Sequence, residues 1–221
     1  MVIGAAIARD QATWNILAFI AGTYLWMSIR TAFELRFGQG VSATDKQEKL
    51  LLGGVFLGMI IVPFAAIATP IFEFAEISLP IGVHIGGVLL LLIGVVVFAF
   101  SHLALGRQWS VSLEIKGNHR LISQGVYKWV RHPMYTSIFL ITVAQCLLLD
   151  NWFAGPAGFA SFTTLYLLRI GREEAMLAGQ FGRDWQTYAA ATPRLIPNIR
   201  ITRRLGRAFS WSVGNSESSP R

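Results

Sequence analysis

The chain has 221 residues, 53% of them hydrophobic and 14% charged, with a mean hydropathy of +0.51, which exceeds ordinary globular composition and excludes a soluble domain. Its net charge of +7 is carried by basic residues interleaved with hydrophobic runs rather than massed on a polar domain, so membrane orientation accounts for it and nucleic acid is not an expected partner. The one cysteine, Cys146, lies in an apolar run, leaving neither a disulfide framework nor a cysteine-based metal site.

Apolar stretches near the length of about 20 residues that crosses a hydrocarbon core occupy Trp14 to Ile29, Leu51 to Phe72, Ile81 to Leu105, Tyr135 to Leu149 and Phe153 to Ile170. The expected fold is all-α: a polytopic integral membrane helical bundle of about five transmembrane helices. The fourth span is short, and only Asp150, Asn151 and Trp152 separate it from the fifth, a connection of the size that joins an antiparallel hairpin. This divides the chain into transmembrane helices one to three (1–105), a region of polar loops carrying helices four and five (106–197), and a basic tail (198–221). The alternation of basic and apolar residues from Ile199 to Val213 suits an anionic membrane surface or a frayed tail equally.

Lysine and arginine number 1 before the first span, 4 in 30–50, 0 in 73–80, 5 in 106–133, 0 in 150–152 and 9 from Arg169 onward. The alternation predicts an N-terminus outside and a C-terminus in the cytoplasm. It also puts the two polar pieces, 106–131 and 171 onward, where a soluble cofactor is reached. The start lacks the basic region of a cleavable signal peptide.

His84 and His102 sit at opposite ends of span three, about 27 Å apart at helical rise, and are expected to be structural or interfacial. The pairs Gly54/Gly58 and Gly82/Gly86 have the small-xxx-small spacing that lets helices approach closely. Between spans three and four come Gly106-Arg-Gln-Trp-Ser110, His119-Arg-Leu-Ile122, Gly125-Val-Tyr127 and Arg131-His-Pro-Met-Tyr135, a concentration of hydrogen-bonding residues beside the membrane. Pro133 biases His132 away from the helical region and suits the first turn of the fourth span, where backbone N–H groups are candidates to receive an anion. Arg131 and His132 as plain interface anchors fit equally well. At the exit of span five Arg169 and Glu173 share a helical face, with Glu174, Leu177 and Phe181 on an adjoining one. Gly182 reads as a helix stop, Trp185 and Tyr188 as rings turned to the site or the lipid interface, and Pro193 to Pro197 as the end of regular structure.

In order and spacing, these fragments resemble the isoprenylcysteine carboxyl methyltransferase family and its phospholipid-methyltransferase relatives. The carriers are His119-Arg-Leu-Ile122, Gly125-Val-Tyr127, Arg131-His-Pro-Met-Tyr135, Arg172-Glu-Glu174 with Leu177, Phe181-Gly182, Trp185, Tyr188 and Arg194-Leu-Ile-Pro197. Ser137 departs from the glycine often found after the Arg-His-Pro-x-Tyr unit, a matter of local packing. The resemblance implies an S-adenosylmethionine-dependent methyltransferase. In it His119, Arg120, Leu121, Ile122, Tyr127, His132, Pro133, Met134 and Tyr135 line the cofactor site, Glu173 closes it, and Arg169 contacts the methyl acceptor.

The implied assignment is chemically coherent. A sulfonium and an ammonium call for a carboxylate and aromatic faces, and an acceptor carboxylate calls for a guanidinium. A carboxylate or thiolate acceptor needs no general base, whereas an amine needs a proton sink, for which His132, His119 and Glu174 are candidates. The acceptors rank as a prenylated-cysteine carboxylate reaching the site from the bilayer, then a phospholipid amine, then a small thiol. Of a different class, sterol reductases carry a similar Arg-His-Pro-x-Tyr unit and Trp-x-x-Tyr segment with a nicotinamide cofactor, but the Arg-Glu-Glu-x-x-x-Leu stretch favours the methyltransferase.

Overall fold

A computed structural model describes residues 2–37, 46–106 and 121–198, with side chains described from Thr13 onward. Six α-helices follow in chain order: α1 (Val2–Phe37), α2 (Lys46–Phe56), α3 (Val62–Ala68), α4 (Ile81–Leu105), α5 (Pro133–Leu148) and α6 (Pro156–Ala191). A π-helical turn, Leu57–Ile61, joins α2 to α3. It precedes Pro63, whose missing N–H and ring would otherwise disturb the Met59 carbonyl one turn back. Short 3-10 turns cover Pro70–Ala75 and Gly125–Lys128. Among the described residues the only β pairing is an isolated antiparallel bridge between Glu76 and Asn151.

Thr13–Phe37, Lys46–Ala68 and Ile81–Leu105 are long and apolar enough to cross a membrane, while Pro133–Leu148 is a shorter apolar helix. At about 1.5 Å per residue α5 extends about 24 Å, less than a hydrocarbon core of about 30 Å. It has little need to meet lipid, because it is the central helix. Ser137, Thr142 and Ala144 are fully buried, Gln145 and Leu148 nearly so, and α4, α6 and α1 all pack on it. On α4 the pattern runs the other way round the helix. Leu91, Val95, Phe98 and His102 face inward while Ile85, Leu89, Leu92, Ile93, Val96 and Phe100 are exposed, the two-faced arrangement of a span with lipid on one side.

Of the four glycines that the spacing suggested, only Gly58 makes a close helix approach, and Gly94 makes another. A Cβ on Gly54, Gly82 or Gly86 would meet nothing within 4 Å, whereas one on Gly58 would strike Ser161 and the Ala157 carbonyl of α6, and one on Gly94 would press on Ile141 and the Ser137 carbonyl of α5. The Gly82/Gly86 pair therefore faces open space. Gly94 also explains how Ser137 fits: the bare surface lies on α4, and the serine hydroxyl donates to Met134 O at 2.7 Å within its own helix.

Polar contacts pin both the middle and one end of the bundle. Gln145 Nε2 donates to Gly58 O (3.1 Å), Ala154 O (2.8 Å) and Gly155 O (3.1 Å), tying α5 to the π turn and to the start of α6. At the end formed by the 69–80 and 149–155 loops, the nearly buried His84 pairs through Nδ1 with Asn15 Nδ2 (2.8 Å) and through Nε2 with Asp150 Oδ1 (2.9 Å). Asp150 also accepts from Leu79 N at 3.2 Å, and Asn151 Nδ2 donates to Phe72 O at 2.9 Å. His102 instead donates through Nδ1 to Phe98 O, 3.0 Å away, with its ring against Phe33 and Phe98. Neither histidine joins the other, in keeping with structural roles.

Gly182 is a kink rather than a stop. Its φ of +52° interrupts helical geometry, yet the helix resumes to Ala191, because a glycine adopts the left-handed region without a Cβ penalty. Gln145→Leu should lower stability by about 1 kcal/mol, within the range of hydrogen bonds in a membrane bundle; thermal unfolding of the purified protein in detergent checks this, and an unchanged midpoint would mean that the three carbonyls are equally well satisfied without it.

Candidate active site

At the end of the bundle away from His84, α6 carries two consecutive carboxylates. Successive residues on a helix diverge by about 100°, so Glu173 and Glu174 meet different partners. Glu174 is gripped on several sides: Arg131 Nε donates at 2.8 Å, His132 Nε2 stands at 3.2 Å, and Arg194 contacts both oxygens, with Nε at 3.1 Å from each and Nη2 at 2.5 Å from Oε2. Burial would raise this carboxyl, but the hydrogen bonds from Arg194, Arg131 and His132 prevail and hold it down at about 2. The Arg194 guanidinium is correspondingly raised by its bond to Glu174. Glu174, a candidate proton sink in sequence, is thus a poor base at neutral pH.

Glu173 is less completely engaged. Its Oε2 accepts from Tyr135 Oη at 2.6 Å, while His132 Nδ1 stands 3.6 Å from Oε1 and Arg169 Nε 3.8 Å from Oε2. Burial pushes this carboxyl up, and His132, Tyr135 and Arg169 together bring it below the ordinary carboxylate value. A charged, partly exposed carboxylate with one oxygen outside any short hydrogen bond retains capacity for a cationic ligand.

Local sequence positions these groups. Pro133 opens α5 at its first position, and His132 precedes it with φ −125° and ψ 60°, outside helical geometry as the proline requires. The segment after α6 then laces onto this corner: Arg131 N donates to Pro193 O (2.9 Å), His132 N to Arg194 O (3.0 Å) and Thr136 Oγ1 to Leu195 O (2.8 Å). The Arg131 and His132 N–H groups are therefore taken by carbonyls, and only the N–H groups of the first turn of α5 itself remain candidates for an anion. Arg131 is no simple interface anchor either, since its Nη1 also donates to Ala189 O (3.0 Å) and Thr192 O (2.5 Å). Trp185 lays its edge toward the His132 ring, and Tyr188 Oη donates to Tyr127 O at 2.7 Å. Burial, with the nearby Glu173 charge second, raises the Tyr127 phenol well above its ordinary value; burial does the same for Tyr188. Both rings remain neutral.

Of the residues singled out in sequence, the structure brings His132, Tyr135, Arg169 and Glu173 together, with Tyr127 close enough to feel the Glu173 charge. Pro133 is buried at the head of α5, and Met134 packs against the apolar core around Phe98 and Ile141. Leu121 and Ile122 are half-buried in the segment leading to the Gly125 turn. His119 and Arg120 lie outside the described residues. Sequence reasoning missed Glu48, whose Oε1 stands 3.0 Å from Arg169 Nη1, and the pairing of Arg131 and Arg194 with Glu174. Glu48 gives only one signal, an acidic residue a turn ahead of an apolar span.

The fold and this corner define a helical integral membrane protein with a compensated carboxylate pair where α5, α6 and the 121–132 loop meet. Residues 87–179 match the model of the Isoprenylcysteine carboxyl methyltransferase (ICMT) family. A probable protein-S-isoprenylcysteine O-methyltransferase of Oryza sativa subsp. japonica is 29% identical over 119 residues, covering 51% of this chain and 60% of the relative. The protein-S-isoprenylcysteine O-methyltransferase of Schizosaccharomyces pombe is 29% identical over 101 residues, covering 46% and 40%. The chain thus spans less than two thirds of the length of these curated relatives. A solved structure of the eukaryotic intramembrane Ras methyltransferase ICMT is similar with a TM-score of 0.48 and 25% identity, over 72% of this chain and 55% of that one.

A depressed carboxyl stabilises the fold above its unfolded value of 4.5 and loses that contribution as pH falls toward the folded value of about 2. The unfolding midpoint should accordingly fall between pH 4.5 and 2. In Glu174→Gln stability should already be reduced at pH 7, by about 3 kcal/mol because the partly buried Arg131 loses its counter-charge, and should change less over the acid range. A wild-type acid profile in this variant would contradict the assignment.

Proposed function

We propose that this chain is an integral membrane methyltransferase that uses S-adenosylmethionine and methylates the carboxylate of an isoprenylcysteine-like lipophilic acceptor. The observation that carries the reading is Glu173, a charged and incompletely bonded carboxylate, set one helical turn from Arg169 on the same face and inside the family-matched stretch. The donor set fits the cofactor: Glu173 for its cationic groups, Tyr127 and Tyr135 as neutral aromatic neighbours, and His132 orienting Glu173. His119, Arg120, Leu121, Ile122, Pro133 and Met134 complete the proposed lining. When bound, the cofactor supplies an electrophilic methyl group on a sulfonium.

The protein's own work is positioning. Glu173 and Arg169 are fixed on one rigid helix, so a cation and an anion held by them are held at a set separation, and such orientation contributes much of the rate of a displacement reaction. A carboxylate acceptor arrives ionised and needs no base, which agrees with the strongly depressed Glu174. A phospholipid amine is the second reading, favoured by one observation: Arg169 already faces Glu48 and Glu173, two negative charges against one positive.

The region 106–197 is proposed as the catalytic region, with 1–105 as the remaining membrane helices and 198–221 as a basic tail. The basic-residue alternation supports an N-terminus outside and a cytoplasmic site. In a Cys146→Ala background, single cysteines at Ser78 and Asn118 should be labelled from opposite sides by an impermeant reagent; labelling from the same side would overturn this orientation. In radiolabelled methyl-transfer assays with prenylcysteine analogues, ethanolamine lipids and small thiols, the prenylcysteine should be the best acceptor. Arg169→Lys should raise the acceptor KM about tenfold or more, because an ammonium does not reproduce a planar two-point contact, with cofactor KM little changed. An unchanged acceptor KM with a raised cofactor KM would move the amine reading to first place.

A further inference from the structure

The first turn of α2 lies outside the family-matched stretch and carries a buried acid. Glu48 is 8% exposed, although Lys46, Gln47, Lys49 and Leu50 around it are all exposed. A carboxylate is kept from water at this price only when a counter-charge compensates it, and Arg169 Nη1 lies 3.0 Å from Glu48 Oε1. Among the described residues Glu48 Oε1 makes no directed hydrogen bond, so the contact of this oxygen with Nη1 is Coulombic. The other side of Arg169 faces Glu173. An arginine and a glutamate four apart on one helix are neighbours able to close into contact, yet Nε stays 3.8 Å from Glu173 Oε2, beyond the 2.7–2.9 Å range of charge-assisted bonds. Tyr135 takes that oxygen instead.

We propose that Glu48 is a positioning residue: it draws the Arg169 guanidinium toward α2 and so keeps the Glu173 carboxylate available for the cationic part of the cofactor. This rests on the assignment of Glu173 to cofactor binding made above. Without the Glu48 charge, Arg169 closes onto Glu173 and neutralises it before any ligand arrives. Through this contact the N-terminal half of the chain acts on donor affinity without touching the donor. The leucines that follow Glu48, Leu51 and Leu52, pack with Val55 against the cluster of Tyr135, Phe162, Leu165 and Ile170, which fixes the reach of α2 toward Arg169.

Titration calorimetry of the purified full chain with S-adenosylhomocysteine, which keeps the ammonium, tests this. Glu48→Gln should weaken binding about tenfold, the equivalent of one charge-assisted hydrogen bond. Arg169→Gln should bind about as the wild type, and adding it to Glu48→Gln should restore affinity to within about twofold, a rescue that a packing role for Glu48 does not produce. Wild-type affinity in Glu48→Gln alongside a loss in Glu173→Gln would overturn the proposal while leaving the cofactor assignment standing. A double variant as weak as Glu48→Gln would overturn it too. Wild-type affinity in Glu173→Gln would overturn the cofactor assignment and the proposal with it. Should Glu48→Gln not fold, Glu48→Asp keeps the charge at shorter reach and should show a smaller loss, about threefold, again rescued by Arg169→Gln; no loss, or a loss without rescue, overturns the proposal.

Discussion

Two neighbouring carboxylates that leave water on the same helix set the terms for the whole end of this bundle. Unpaired, each would cost several kcal/mol, and their proximity would add repulsion. The chain answers by turning them to different neighbours. Glu174 meets Arg131 from before α5 and Arg194 from after α6, so the charge pairs also tie these two connecting segments together. Glu173 meets the phenol of α5 and the approach of His132. One acid is spent on architecture and the other retains an edge for a ligand, a difference that follows from helical geometry and not from residue type.

The same economy appears at the opposite end. There Asp150 joins His84 of α4 to the backbone at Leu79, and His84 reaches α1 through Asn15. Between the two polar ends, Gln145 supplies the amide that knits α5 to the π turn and to α6. Apolar packing in a bilayer does not by itself distinguish one helix arrangement from another, since lipid is as apolar as leucine. These polar contacts, with the close approaches at Gly58 and Gly94, select one arrangement.

Length and hydropathy were enough to locate the three long apolar helices, because a span must satisfy its backbone internally and must be apolar for about 20 residues. Hydropathy did not reveal that α5 is central. A short apolar run reads alike whether it meets lipid or protein, and only Ser137, Thr142 and Gln145, all buried, hint at the difference. His132, Tyr135 and Glu173 were legible because two short motifs carry them in order, and Arg169 because it stands four residues before Glu173 on one helical face. Glu48 was not, since it sits more than a hundred residues from Arg169 in a stretch without a motif, and no local rule pairs residues so far apart. Gly182 shows the limit from the other side: its left-handed φ was foreseeable, but whether helix resumes after such a residue depends on tertiary support, here Trp185 and Tyr188 packed back on the site.

The identity of residue 169 has two physical reasons that are easily confused. Its guanidinium is placed between a carboxylate on α2 and another on its own helix, each approaching a different nitrogen. A planar group with donors along several edges can serve both at once, whereas an ammonium is a point charge that settles on one. A cation at this position is therefore accounted for by its two carboxylate neighbours before any acceptor binds, and its presence is no proof of an acceptor carboxylate. The discriminating quantity is charge balance. A third carboxylate beside this guanidinium must be offset by the cationic donor bound at Glu173, so donor and acid acceptor would each favour the other's presence. A neutral amine gains no such benefit, and for it the two ligands would bind nearly independently.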